Sequence, residues 1–313
     1  MELREEIFKS LVRKGQSERR DGRKVWDISD RGLLYVSDGL AESFLKLRAH
    51  PRYRATIINI EIELLEKMAF KFFEIVGDEP CNLIDLGCGD GKKAMAFIRK
   101  LRGKGNICYC PVSVNKGLVG LALKNIRGEK FVNVKNYKPI LGDPHSLYDA
   151  VLISGCDEYK KNVVFLLGSL LAGFDIHEYL FELNNSMKKG DCLVIGNAVR
   201  KGDRFSNIEN YKNPLFEEWF AHLPREMGFK DDEIVYDARF ENGRVEGFYR
   251  IKADKKINYE GREFEFKAGD ELVVAILYKY YAHELEKFCR MYFREVELIK
   301  DEDEEQALIC CVK

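Results

Sequence analysis

Hydrophobic and polar positions follow two rhythms along this chain. From Asn82 onward, short apolar runs bounded by glycine or polar turns alternate with stretches whose apolar residues recur roughly every three to four positions. The short runs suit strands buried on both faces and the longer rhythm suits amphipathic helices, so the pattern predicts a parallel sheet. It reads as strand Asn82 to Leu86, helix Lys92 to Leu101, strand Asn106 to Val112 and helix Lys116 to Ile126. A strand around Val132 to Lys138, a strand Asn162 to Gly168, a helix Asp175 to Met187 and a strand Asp191 to Asn197 complete the series. Asp175, with Glu178 three residues on, carries the helix-start spacing of a capping box.

The flanks differ in texture. Residues 1 to about 75 read as mostly helical, with Ile57 to Phe73 a strongly amphipathic run. Residues 200 to 277 begin with a helical section, Pro214 to Gly228, and continue with strand-like pieces Val245 to Ile251, Glu263 to Phe266 and Glu271 to Leu277. This is the pattern of an insertion with strands of its own. Helix Ala282 to Phe293 and strands Glu295 to Ile299 and Ala307 to Val312 then return to the main sheet as an antiparallel edge hairpin, with Asp301 to Glu305 at its solvated tip. The expected organisation is therefore 1–75, an N-terminal helical part; 76–199, the core; 200–277, the insertion; and 278–313, the return.

Composition narrows the class. The chain has 313 residues, a formal charge of −1 and 33% charged residues, so no global basic footprint calls for nucleic acid or a membrane surface. No apolar run reaches the length of about 18 residues that a membrane span needs, and the N-terminus lacks the apolar core of a signal peptide. A cytoplasmic location is expected. Nine cysteines, an odd number without a CxxC pair, fit free thiols in a reducing compartment. The five histidines show no ligand spacing, and no metal is expected.

The chemistry starts at Leu83-Ile84-Asp85-Leu86-Gly87-Cys88-Gly89-Asp90-Gly91, an apolar strand that runs through a glycine turn into a helix. Glycines at alternate positions let a ligand approach the backbone closely, and the N–H groups of the helix start face it. A dinucleotide fingerprint is G-x-G-x-x-G, but here the third glycine comes one residue early and Lys92 takes its place. The G-x-G-x-G spacing after an acidic strand end is the first motif of S-adenosylmethionine (SAM) methyltransferases. It implies SAM as cofactor.

With these motifs placed, the chain resembles the histidine-specific SAM-dependent methyltransferase family, best known from Nα-trimethylation of histidine in ergothioneine synthesis. The resemblance rests on Ile84-Asp85-Leu86-Gly87-Cys88-Gly89 with Lys93, on Tyr109-Cys110-Pro111-Val112-Ser113-Val114, and on Gly142-Asp143. It continues through Val163 to Ser169, Gly173-Phe174, Gly190-Asp191, Val245-Glu246-Gly247-Phe248 and Phe266 to Glu271. It implies an α/β fold: a Rossmann-like class I SAM methyltransferase sheet with helices on both faces, plus an α+β substrate domain built from the N-terminal segment and the insertion.

The resemblance also implies site residues. Asp85, Gly87, Cys88 and Gly89 would hold the methionine part of SAM, with Lys93 near its carboxylate and Gly142 and Asp143 by the adenine. The family ends its second strand on an aspartate for the ribose hydroxyls, where this sequence has Ser113, with Asn115 two residues on. On the substrate side the family's asparagine becomes Gly173, its glutamate and serine for the imidazole become Ala275 and Leu277, and a methionine beside the ring becomes Gly247. Tyr53 and Tyr211 match two tyrosines that frame the pocket, and Tyr211 is the one candidate for orienting the acceptor. Loss of the polar grip argues against histidine, since a site built to hydrogen-bond its ligand is selective through those groups. The expectation is a small amine or amino-acid-like acceptor in a larger, more apolar pocket, with no assigned catalytic base. Two alternatives stand beside it: an RNA methyltransferase, prompted by Arg13-Lys14, Arg19-Arg20 and Arg23-Lys24, and an inactive binding module, prompted by Ser113.

Overall fold

The computed structural model describes residues 3–77, 79–101, 103, 105–142, 149, 151, 158–202, 205 and 208–313. Its strands, in chain order, begin with β1 (Gln16–Glu18), β2 (Lys24–Asp27), β3 (Cys81–Leu86), β4 (Ile107–Ser113) and β5 (Val134–Tyr137). Next come β6 (Ile140–Leu141), β7 (Lys161–Leu166), β8 (Cys192–Ala198), β9 (Ile234–Glu241) and β10 (Arg244–Ile251). The last are β11 (Lys255–Tyr259), β12 (Arg262–Phe266), β13 (Glu271–Tyr278), β14 (Glu295–Lys300) and β15 (Gln306–Val312). The chain divides into two compact units, Met1–Leu47 with Asp203–Lys279, and Arg48–Gly202 with Tyr280–Lys313.

The second unit is built on an eight-stranded sheet in the order β14-β15-β8-β7-β3-β4-β5, with β6 also paired to β4. Strands β3, β4, β5, β6, β7 and β8 run parallel, whereas β15 is antiparallel to both β8 and β14, as the C-terminal hairpin pattern predicts. Every residue of β3, β4 and β8 is buried. That is why those segments read as mostly apolar runs instead of alternating ones. One face packs Ile84, Val112, Val164 and Ile195 against helices Ile176–Ser186 and Ala282–Tyr292; the other packs Leu83, Tyr109, Phe165 and Val194 against helices Asn59–Val76, Lys92–Lys100 and Lys116–Gly128. Asp175 accepts the N–H groups of His177 and Glu178 at 3.0 and 2.9 Å, capping the helix where the sequence placed its start. All eight cysteines among the described residues are buried thiols outside any disulfide.

The expected boundary near residue 75 lies instead at Leu47. Helix Asn59–Val76 buries Leu64, Leu65, Met68, Ala69 and Phe72 in the core of the eight-stranded sheet, so it belongs to that unit.

The first unit holds a five-stranded sheet, β1-β2-β13-β10-β9, and the separate hairpin β11-β12. The N-terminal segment is thus not helical throughout, because β2 pairs in parallel with β13. Strand β9 escaped the pattern since its residues alternate with charge and are largely half-exposed. Its signal was the Asn242-Gly243 turn, both residues at positive φ (52° and 73°), which is the two-residue hairpin signature. One face of this sheet is ionic. Arg19 and Arg239 reach the buried Glu271 at 2.9 and 2.7 Å, and Arg244 reaches Glu246 at 2.6 Å. The N-terminal basic run is largely neutralised in the same way, with Arg13 on Asp30, Lys14 on Asp27 and Arg23 on Asp21 and Glu271. Among the described residues no helix is long and apolar enough to cross a membrane.

Gly91 caps the start of helix Lys92–Lys100 at φ 72°, and a Cβ there would lie 3.1 Å from both Cα and Cβ of Ala122. Gly91→Ala should therefore combine left-handed strain with overpacking and destabilise the protein by roughly 2–4 kcal/mol, read from the midpoint of urea unfolding.

Candidate functional site

In the second unit, β3 crosses over to β4 on one side while β7 continues to β8 on the other. In an open α/β sheet the ligand crevice lies beyond the carboxyl ends of the strands at such a switch point. The glycine turn Gly87-Cys88-Gly89-Asp90-Gly91 stands there. The N–H groups of Gly87 and Cys88 donate to Val112 O at 3.0 and 3.1 Å, tying the turn to the end of β4. Gly87 and Gly89 hold φ of 67° and 54°. A Cβ on Gly87 would meet Leu170 at 3.1 Å and one on Gly89 would meet the Arg48 guanidinium at 3.7 Å, so the turn is a cradle that side chains would fill.

A buried cluster of charge lies around this turn. Arg48 Nη2 donates to Asp90 Oδ1 at 2.8 Å, and Lys93 is ion-paired with Glu61, whose Oε1 also accepts the Gly168 N–H at 2.7 Å. Glu61 needs Gly196 beneath it, since a Cβ there would lie 1.8 Å from its Oε1. Asp85, also buried, accepts the Tyr109 hydroxyl at 2.8 Å. Burial pushes its carboxyl up to about 6, against the opposing pull of the Tyr109 hydrogen bond and of the Lys93 and Arg48 charges. Asp90 is held below its ordinary value: burial works to raise it, and the Arg48 charge and the Lys92 N–H outweigh that. Burial lowers Lys93, with Glu61 opposing.

Lys93, expected near the cofactor carboxylate, has a protein carboxylate of its own in Glu61. The sequence reading missed Glu61, although its helical spacing to Leu65, Met68 and Phe72 places it on the buried stripe, where a charged residue needs a partner. Arg48, Asp90 and Tyr109 were missed because nothing in their local sequence marks the contacts they make.

At the end of β4, Ser113, Asn115 and Gly142 come together. Ser113 Oγ accepts the Asn115 N–H at 3.1 Å, Ser113 O accepts the Gly142 N–H at 3.1 Å, and Asn115 Oδ1 caps helix Lys116–Gly128 through Leu118 N–H at 3.0 Å. Asp143 lies outside the described residues. Gly173 ends the short turn Leu170–Gly173 after β7, and Tyr53, half-buried, ends the short helix Pro51–Tyr53.

The remaining substrate positions belong to the first unit. Gly247 pairs directly with Ala275, and Val245 with Leu277, so Gly247, Ala275 and Leu277 share one face, opposite the ionic one. The wider pocket expected at Gly247 is not there. A Cβ would meet Phe220 Cε2 and the Tyr236 hydroxyl, each at 3.2 Å, because these two aromatic residues occupy the space that the missing side chain leaves. The Tyr236 hydroxyl donates to Tyr211 O at 2.8 Å, and the Tyr211 ring packs 5.1 Å from Phe216. Burial pushes the Tyr211 hydroxyl up to about 12. Among the described residues no group of His, Cys, Asp and Glu stands ready to hold a metal ion.

A family model described as a histidine-specific, SAM-dependent methyltransferase matches residues 8–313. No curated protein matches the chain. Among solved structures, an S-adenosylmethionine-dependent methyltransferase from Clostridium acetobutylicum is 12% identical over 87% of this chain and 98% of its own, with a TM-score of 0.48. The PH0226 protein from Pyrococcus horikoshii is 14% identical over 85% of this chain and 94% of its own, with a TM-score of 0.47.

Removing one member of a buried ion pair leaves the other charge uncompensated. Lys93→Met should therefore cost about 3–5 kcal/mol in chemical denaturation, and adding Glu61→Gln should recover most of that loss.

Proposed function

Since the chain belongs to the histidine-specific, SAM-dependent methyltransferase family, we propose that it methylates the nitrogen of a small amine or amino-acid-like acceptor other than histidine. The observation that carries the acceptor reading is the row Gly247, Ala275 and Leu277, which offers no polar side chain where the resemblance implies a glutamate, a serine and a methionine around an imidazole. A histidine ring there would lose its hydrogen bonds, and such a loss is heavily penalised.

The residues around the glycine turn suit SAM. Among the described residues Asp90 is paired with Arg48 and Lys92, and Glu61 with Lys93, whereas Asp85 has no cation of its own and is the carboxylate left to face a positively charged ligand. When bound, SAM supplies a methyl group on a sulfonium, open to in-line displacement by a nitrogen lone pair. Gly87 and Gly89 let the backbone approach the methionine part, with Cys88 between them, and Asp85 offers negative charge beneath it. Ser113 and Asn115 would hold the ribose, and Gly142, beside them at the end of β4, would face the adenine. With Ser113 in place of a carboxylate, the hold on the ribose is weaker by about 1–3 kcal/mol. Tyr211 stays protonated at neutral pH and can orient the acceptor by a hydrogen bond, while the apolar face favours the neutral, nucleophilic form of an amine.

Calorimetric titration with S-adenosylhomocysteine tests the cofactor site. The wild-type protein should bind and Gly87→Asp should not, because the new side chain enters the cradle. Radiolabelled methyl transfer to a panel of amines and amino acids then tests the acceptor reading, which turnover of histidine would overturn. Absence of S-adenosylhomocysteine binding at millimolar concentration would favour a binding module instead.

The pH dependence has a definite sign. Raised above its ordinary value, Asp85 costs folding stability increasingly between about pH 4 and pH 6, and the cost is constant above. A cationic ligand favours its ionised form. Affinity for SAM should therefore climb between about pH 5 and pH 7, by at most about tenfold per unit, and Asp85→Asn should flatten the climb in calorimetry across that range.

A further inference from the structure

The apolar row of the first unit ends on a charged residue. Ala275, Leu277 and Lys279 are spaced by two along and just beyond β13, and the Lys279 N–H donates to Gly243 O at 2.8 Å, continuing the strand. Lys279 thus falls on the face of Gly247. Its side chain is 1% exposed and Nζ has no hydrogen-bond partner. Two aromatic rings flank the nitrogen, Phe205 with its centroid at 5.2 Å and Tyr211 at 5.3 Å.

Arg31 brings a second unmatched cation. Its Nε and Nη1 are buried without hydrogen-bond partners, and its charge acts on both Lys279 and Tyr211. Among the described residues no carboxylate pairs with Arg31 or Lys279. Folding alone does not favour this arrangement, because each buried unsatisfied donor carries its desolvation cost and the two charges repel. The contrast lies within the same unit. On the ionic face, Arg19, Arg239 and Arg244 are matched by Glu246 and Glu271. Counter-charge is supplied there and withheld here.

We propose that Arg31 and Lys279 form an anchoring subsite that takes a carboxylate of the methyl acceptor. This rests on the acceptor reading above and narrows it to a molecule with a free carboxylate. The anion supplies the acceptor that both cations lack, and the Phe205 and Tyr211 rings give it apolar walls. Burial, reinforced by the Arg31 charge, pushes unliganded Lys279 down to about 7, so its positive charge is completed as the anion arrives.

The test is calorimetric titration of the full chain with phenylacetate, its neutral counterpart phenylacetamide, and inorganic phosphate, repeated on Lys279→Met and Arg31→Met. Phenylacetate should bind the wild-type protein at least about tenfold more tightly than phenylacetamide, and each variant should lose about tenfold or more for phenylacetate alone. Equal binding of acid and amide, unchanged phenylacetate binding in the variants, or no binding of any probe overturns the proposal. Tighter binding of phosphate than of phenylacetate overturns the carboxylate assignment. Lys279→Met replaces a buried unpaired cation with a chain of similar length, so its thermal midpoint should hold or rise; a fall with unchanged probe affinity makes Lys279 structural and also overturns the proposal. Titration of the same variants with S-adenosylhomocysteine keeps the two readings apart. That ligand should bind both variants as it binds the wild-type protein, and its failure to bind any of them would count against the methyltransferase reading, whatever the anion probes do.

Discussion

Glu61 is the point on which the second unit's ligand end turns. Its carboxylate joins helix Asn59–Val76 to Lys93 at the start of the helix after the glycine turn, and to the Gly168 N–H beyond β7. It lies so close over Gly196 that no side chain fits there. One buried acid thus ties two helices to the end of β7 and packs against β8. Such an interaction is costly to form and more costly to half-remove, which makes it a poor source of net stability but an effective way of specifying one arrangement.

The electrostatics around it follow from burial. Asp85, Asp90, Arg48, Lys93 and Glu61 are all largely withdrawn from water, so partners within the protein must replace their hydration. Asp85 has the weakest support, a single tyrosine hydroxyl and two cations already engaged elsewhere, and burial pushes its carboxyl up where that of Asp90 is held down. Asp90, with Arg48 directly on it, is satisfied from within the protein.

The first unit divides its polar groups by face. Strand alternation, with a register shift in the β10–β13 pairing between Gly247 and Phe248 that turns Ala275 and Leu277 away from the face of Glu271, sends Arg239, Glu246 and Glu271 to one side of the sheet, where they form a matched ionic network, and Gly247, Ala275 and Leu277 to the other. Aromatic residues of helix Pro214–Met227 and of β9 cover part of that second side, and Phe220 and Tyr236 take the volume that the small Gly247 frees. Substituting a smaller residue for a larger one enlarges a pocket only if the neighbours do not move in, and here they do.

The order and kind of the second unit's elements were legible in the sequence, because strands buried on both faces are mostly apolar and the helices between them must be amphipathic. The glycine turn was legible for a related reason: positive φ at Gly87, Gly89 and Gly91 demands glycine whatever surrounds it. Strands β1, β2 and β9 were not, since short or half-exposed strands carry little hydrophobic signal, and β2 is a strand only because β13 lies beside it. Charge pairing was the least legible of all. Arg48 meets Asp90, Glu61 meets Lys93, and Arg19 meets Glu271 across long separations that no local rule spans. Local conformation and burial are properties of a residue and its near neighbours, and the sequence by itself determined those. Which charges find a partner, and that Arg31 and Lys279 find no carboxylate among the described residues, was decided only by the tertiary structure, because a counter-charge acts through space and not along the chain.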